Sequence, residues 1–150
     1  MKEQAYPFQL VQDQAFYEFT SVSANKKIEK AVLLEQSRTV DRLFNLALMD
    51  ADDDGEFSDE VESRNGDLKM VLATIFRIVE HFLDRRSDVV VGFRGNDERR
   101  HRLYRIAIAY QLQHLTGRFE IYGGKNNAMF LFEPNTAYEY YYIKKYSYEP

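Results

Sequence analysis

The first half of the chain carries hydrophobic and polar residues in the alternating pattern that is typical of β-strands. Phe16–Val22 is rich in aromatic and β-branched residues, and a polar segment at Ser23–Lys27 separates it from Ile28–Gln36. These two stretches therefore predict a β-hairpin. Val40–Met49 begins with the same alternation and becomes mostly apolar, as expected for a central strand.

In the second half the spacing of apolar residues changes to steps of three and four, which predicts an amphipathic helix. Asp84–Ser87 ends this pattern, and the short apolar run Asp88–Phe93 follows as a buried strand of a β-α-β crossover. The residues that we expect on the buried face of the helix are Leu68, Val71, Leu72, Ile75, Ile78, Val79, Phe82 and Leu83.

A second helix is predicted to begin near Asn96 and to end at Gly117. Phe119–Tyr122 then returns as a strand, and the turn at Gly123–Asn127 leads into a partner strand, so this region predicts a second hairpin. The tail Tyr138–Tyr148 leaves two interpretations open, a strand and a tyrosine-rich helix.

Length and composition indicate one globular domain over residues 1–150. Of 150 residues, 45% are hydrophobic and 29% are charged, which is the composition of a chain that folds on its own. The fold class that we predict is α+β, a mixed, largely antiparallel sheet packed against two main helices. There is no cysteine, which excludes disulfides, thiolate metal sites and cysteine nucleophiles. No signal or membrane-spanning segment is evident, so a cytoplasmic location is expected.

The segment that leads into the first predicted helix is the best sequence candidate for an anion site. Backbone amides of Asn65, Gly66 and Leu68 are placed where a helix start could hold a pyrophosphate. Asp67 offers a different interpretation, because a carboxylate at this position caps the helix and repels phosphate. Helix capping is the interpretation that we favour.

The order of predicted elements over roughly residues 40–132 resembles the core of the GNAT acyltransferase superfamily. Arg64 and Gly66 match part of that family's pyrophosphate loop, and Leu103-Tyr104 matches a pair in its second helix. The resemblance implies a GNAT-like topology, acetyl-CoA as cofactor and N-acyl transfer as activity. It also implies Asn65, Gly66 and Leu68 as cofactor-binding residues and Tyr104 as the catalytic general acid.

Nearly the full chain is similar to a bacterial single-domain family of unknown function. The shared features are an Asn-Gly-Asp triplet before a Val-Leu-x-Thr helix, here at Asn65–Thr74, and an arginine ahead of Leu103-Tyr104. This resemblance implies no known activity.

The acidic segment Asp50–Gly55 matches the first six positions of an EF-hand calcium loop. The twelfth position is Val61, which cannot supply the bidentate carboxylate, so no metal site is predicted. Whether Asp50, Asp52 and Asp54 bind a metal stays open at this stage, and a solvated acidic turn is the simpler interpretation.

Two further groups of residues bear on binding. Arginines crowd the start of the second predicted helix, but the net charge of −4 opposes nucleic-acid binding, and we expect Arg99 or Arg102 to form a structural ion pair. His81 and the other two histidines show no metal-ligand spacing, and each is predicted to be a surface or flanking residue.

Two classes of function follow from these observations. The first is a non-catalytic interaction module without a cofactor, which binds a protein partner or a second copy through the tyrosine-rich residues 138–150. The alternative is a divergent acyl-CoA-dependent N-acyltransferase that uses Tyr104. The incomplete catalytic motifs favour the interaction module.

Overall fold

A computed structural model describes residues 5–11, 15–22, 27–51, 57–58, 68–93, 105, 108, 118–133 and 136–145. These residues form nine strands and one helix with defined bounds. The elements are β1 (Phe8–Leu10), β2 (Phe16–Val22), β3 (Lys27–Gln36), β4 (Leu43–Ala51), β5 (Phe57–Ser58), α1 (Leu68–Arg85), β6 (Val90–Phe93), β7 (Phe119–Lys125), β8 (Ala128–Leu131) and β9 (Tyr140–Lys145).

The chain divides into two compact units, and β4 contributes residues to both. The first unit comprises Met1–Glu35 and Leu46–Phe82, and the second comprises Gln36–Asn45 and Leu83–Pro150.

In the first unit, β1 to β4 follow one another in hydrogen-bonded order, and β5 pairs with β4. The predicted hairpin of β2 and β3 is confirmed, with Tyr17 opposite Val32 and Phe19 opposite Lys30. Because residues that face each other across an antiparallel pair point to the same side, these four side chains share one face of the sheet. All four are buried, so this face forms the core of the unit.

Helix α1 is the amphipathic helix that its sequence pattern predicted, and it packs against β1 and β2. The apolar residues at three- and four-residue spacing, Val71 to Phe82, are buried. Two polar contacts fix the helix against the strands: the Tyr6 amide donates to Thr74 Oγ1 at 2.8 Å, and the Tyr17 hydroxyl lies 2.8 Å from His81 Nδ1. The first turn of the helix contains no acidic residue.

The second unit has a sheet in which the C-terminal strand lies in the middle. The start of β4 pairs in parallel with β6, which confirms the predicted β-α-β crossover. Strand β9 pairs antiparallel with β6 on one side and with β7 on the other, and β8 pairs with β7. The ambiguous tail is therefore a strand that completes the sheet. Its core face is formed by Phe44, Val91, Phe119, Ile121, Tyr141 and Ile143, all buried.

The turn between β7 and β8 has the geometry that a two-residue hairpin requires. Lys125 lies opposite Ala128, and Asn126 and Asn127 have φ values of 52° and 63°. Positive φ at both turn residues matches the right-handed twist of the flanking strands, and asparagine tolerates this conformation better than most residues. The second predicted hairpin is thereby confirmed.

The predicted fold class is wrong in its balance of helix and sheet. We expected a sheet packed against two main helices with GNAT-like topology, but the described residues form mainly a large mixed sheet with the single defined helix α1. Of the predicted second helix only Arg105 and Ile108 are described, both helical, which is too little to define an element. Element order misled the prediction because it does not determine which strands become neighbours, and β9 enters between β6 and β7.

Candidate functional site

Strand β9 has one face that is buried in the core and one face that is directed away from it. The second of these faces is the candidate site in the second unit. Tyr141 and Ile143 point into the core and are 0% and 1% exposed. Tyr140 and Tyr142 alternate with them and therefore point to the other face, where Tyr140 is 41% exposed.

The strand register extends this outer face across β7 and β8. Tyr142 lies opposite Tyr122 of β7, and Tyr122 lies opposite Leu131 of β8. One step along, Gly124 lies between Tyr140 and Met129. We call this surface the tyrosine face and define it by Tyr122, Met129, Leu131, Tyr140 and Tyr142.

Glycines on both neighbouring strands allow the Tyr142 ring to lie down on the sheet. A Cβ atom at Gly92 would lie 3.3 Å from Cδ1 of Tyr142, and one at Gly124 would lie 3.1 Å from Cε2 of the same ring. An aromatic ring packed over cross-strand glycines covers backbone that would otherwise be exposed. The Tyr140 ring stacks beside it, with centroids 6.4 Å apart and planes at 29°. The two rings form a flat aromatic surface.

A small polar network borders the tyrosine face. The Tyr122 hydroxyl donates to Glu120 Oε2, and Lys144 Nζ lies 3.5 Å from the same oxygen and 5.9 Å from the centre of the Tyr122 ring. The hydrogen bond to Glu120, together with burial, raises the pKa of Tyr122. Burial, with a smaller effect of Tyr140, raises the pKa of Tyr142. Both hydroxyls therefore stay protonated near neutral pH; the Tyr122 proton is donated to Glu120, and the Tyr142 hydroxyl has a proton to donate.

Strand β8 adds exposed apolar side chains next to the tyrosines. Met129, Phe130 and Leu131 are 56%, 46% and 68% exposed. Phe130 points to the face opposite that of Met129 and Leu131, and Lys125 Nζ lies 5.8 Å from the centre of its ring. The tyrosine face is thus continuous with an apolar sheet edge.

Beneath the hairpin of β7 and β8, an aromatic cluster supports the tyrosine face. The Tyr138 ring lies directly on Gly123, where a Cβ atom would be only 2.2 Å from the ring carbons Cγ and Cδ1. Tyr138 also packs on Phe132 and Tyr141, with ring centroids 5.7 and 6.0 Å away. Burial raises the pKa of Tyr141 to about 12.

The first unit contains a buried ion pair instead of the solvated acidic turn that we predicted at Asp50. This residue belongs to β4, and its Oδ1 lies 2.7 Å from Lys30 Nζ, with side chains 5% and 6% exposed. The local acidic composition did not reveal the partner, because Lys30 is on another strand. Asp52 and Asp54 lie outside the described residues, within which no group of His, Asp and Glu side chains could hold a metal ion.

His81, predicted to be a surface or flanking residue, contacts β1 and β2 from helix α1. The residue is half-buried, hydrogen-bonded to Tyr17 and packed edge-on against the Phe8 ring at 6.0 Å between centroids. Its position on α1 orients the helix on the sheet, which is a structural role.

A groove of about 360 Å³ in the first unit lies along β1 and β2. Glu18 and Glu29 line it together with Thr20, whose hydroxyl donates to Glu29 Oε1 at 3.0 Å. Two carboxylates repel phosphate groups, so this groove is not suited to a coenzyme pyrophosphate.

Most of the residues predicted for coenzyme chemistry lie outside the described residues. These are Asn65, Gly66 and Tyr104, whereas Leu68 is the first residue of α1. The acetyl-CoA alternative and the role of Tyr104 therefore stay predictions. Arg99 and Arg102 also lie outside the described residues.

Together, the mixed sheet and helix α1 define a protein of mixed α and β content among the described residues. The chain belongs to the family of unknown function DUF6934, whose model matches residues 2–146. Comparison with curated proteins and with solved structures found no match. No helix among the described residues has the length and apolar character needed to cross a membrane.

Proposed function

We propose that this protein is an interaction module that binds a protein partner through the tyrosine face. The observation that carries the proposal is the continuity of exposed Tyr140, Met129 and Leu131 on one side of the sheet. Contiguous apolar surface of this kind is characteristic of interaction sites, and tyrosine and methionine are enriched at protein interfaces.

The geometry also supports a favourable free energy of binding. Tyr142 is held between Gly92 and Gly124, and Tyr122 is fixed by Glu120, so these side chains lose little conformational freedom when a partner covers them. The protonated Tyr142 hydroxyl can donate a hydrogen bond to a partner at the border of the apolar area, as is common in interfaces, whereas the Tyr122 proton is held by Glu120.

Site-specific photo-crosslinking in cells that carry the natural gene tests this proposal without knowledge of the partner. A benzophenone amino acid would replace Tyr140 or Leu131, and Thr39, an exposed residue of the same unit, would serve as the control position. We expect discrete protein adducts at positions 140 and 131 and none at 39. Absence of adducts at both test positions, or equal adducts at 39, would contradict the proposal.

A further inference from the structure

We infer that a second copy of this chain binds at the edge of the tyrosine face, through antiparallel pairing of two β8 strands. This inference rests on the proposed function and specifies the partner. Strand β8 pairs with β7, and no other described strand pairs with its outer side. Its sequence Ala-Met-Phe-Leu contains no charge. Exposed edge strands normally carry charges, bulges or proline that prevent pairing, so an apolar edge of this kind is suited to being covered.

The hydrogen bonds of the hairpin show which backbone N–H and C=O groups of β8 point away from β7, towards the position of an added strand. The Phe132 amide donates to Ile121 O at 3.0 Å, so the alternation of an antiparallel ladder directs the Phe130 backbone groups towards β7. The N–H and C=O groups of Met129 and Leu131 therefore point outward. Tyr138 marks the end of this open edge, because its hydroxyl reaches Leu131 O at 3.4 Å and accepts from the Glu133 amide at 3.0 Å.

Symmetry then selects one register for two copies. Facing residues in an antiparallel pair point to the same side, so a twofold axis perpendicular to the sheet must pass through a residue position. An axis at Phe130 places Met129 of one copy opposite Leu131 of the other, twice, with about four backbone hydrogen bonds, two of which share the Leu131 carbonyl with the Tyr138 hydroxyl. An axis at Met129 would place Leu131 opposite Asn127, which lies in the turn with φ of 63°. An axis at Leu131 would place Met129 opposite the exposed, charged Glu133. Of these three registers, the one centred on Phe130 pairs both Met129 and Leu131 with apolar side chains.

The side chains of β8 itself carry this pairing. Lys125 is engaged within its own copy, where its Nζ lies 5.8 Å from the centres of the Phe130 and Tyr138 rings, on the face opposite that of Met129 and Leu131. The edge is self-complementary in its backbone hydrogen-bonding groups and in its apolar side chains, which favours a second copy over an unrelated strand.

Sedimentation velocity of the purified full chain over a range of concentrations tests the inference. We expect a reversible dimer, and we expect Leu131→Lys to raise the dissociation constant by about tenfold or more, because the interface would bury an unpaired ammonium group. Val40→Lys is the matched control, since Val40 is 53% exposed in the same unit but away from β8. Circular dichroism and thermal unfolding would establish that each variant is folded.

A monomer at all concentrations, or a dimer that Leu131→Lys leaves unchanged, would overturn the inference. If the purified chain is monomeric while adducts to a different protein form at position 131 in cells, this inference fails and the proposed function stands.

Discussion

The buried ion pair between Lys30 and Asp50 leads to a sharp prediction about stability. Lys30 lies opposite Phe19 on the core face of the first unit, and both charged side chains are nearly excluded from solvent. Removal of the ammonium group by Lys30→Met would leave the Asp50 carboxylate buried without its ion-pair partner. Loss of one partner from a buried pair typically costs about 3–5 kcal/mol in the free energy of unfolding.

Urea unfolding followed by circular dichroism would measure this free energy. Lys27→Met is the matched control, because Lys27 is an exposed lysine on the same strand and its substitution should change stability by about 0.5 kcal/mol or less. The double variant Lys30→Met/Asp50→Leu should recover most of the lost stability, since apolar residues of similar volume often replace a buried pair without cost. Equal free energies of unfolding for Lys30→Met and Lys27→Met would contradict the burial of this ion pair in the core of the first unit.

Two further predictions concern the second unit. Gly123→Ala should lower the free energy of unfolding by about 2 kcal/mol or more, because the new Cβ would overlap the Tyr138 ring, whereas the control Gly124→Ala meets Tyr142 at 3.1 Å and should cost less. Equal stability of the two variants by urea unfolding would contradict this packing. Because the pKa of Tyr141 is raised to about 12, the unfolded chain ionises this residue from about pH 10, while the folded chain keeps it protonated up to about pH 12. The free energy of unfolding therefore falls by about 2–3 kcal/mol as the pH rises through this window. Tyr141→Phe should show a correspondingly smaller alkaline loss than the exposed control Tyr140→Phe, and parallel pH profiles would refute the assignment.

Local patterns predicted those elements whose interactions lie close together in sequence. The helix α1 followed from apolar spacing, and the hairpin of β7 and β8 followed from the turn predicted over Gly123–Asn127. Of these residues, Asn126 and Asn127 form the turn with positive φ, while Gly123 and Gly124 belong to β7. Strand β6 followed from a continuous apolar run. In each case the residues themselves carry the signal.

Features that depend on distant partners were not predictable in the same way. The tail could be assigned to a strand only through its pairing with both β6 and β7, and the location of Asp50 depends on Lys30 of another strand. Deletion of residues 138–150 would not be a clean test of binding through the tail, because β9 is a central strand and its loss would remove part of the sheet. Substitutions at exposed positions are the appropriate test of this binding. The sequence shows that the tail is rich in tyrosine. Only the strand register shows that Tyr140 and Tyr142 lie at the surface while Tyr141 is buried.

The central claim is that the outer edge of β8 binds a second copy of the chain. Residue-resolved amide exchange, measured by NMR at several protein concentrations, tests this claim most directly. The Phe130 amide is bonded within the hairpin and should exchange slowly at every concentration. The outward amides of Met129 and Leu131 should become slow as the concentration rises and fast again on dilution or in the Leu131→Lys variant. Fast exchange of both amides at concentrations where the chain is associated would contradict the account.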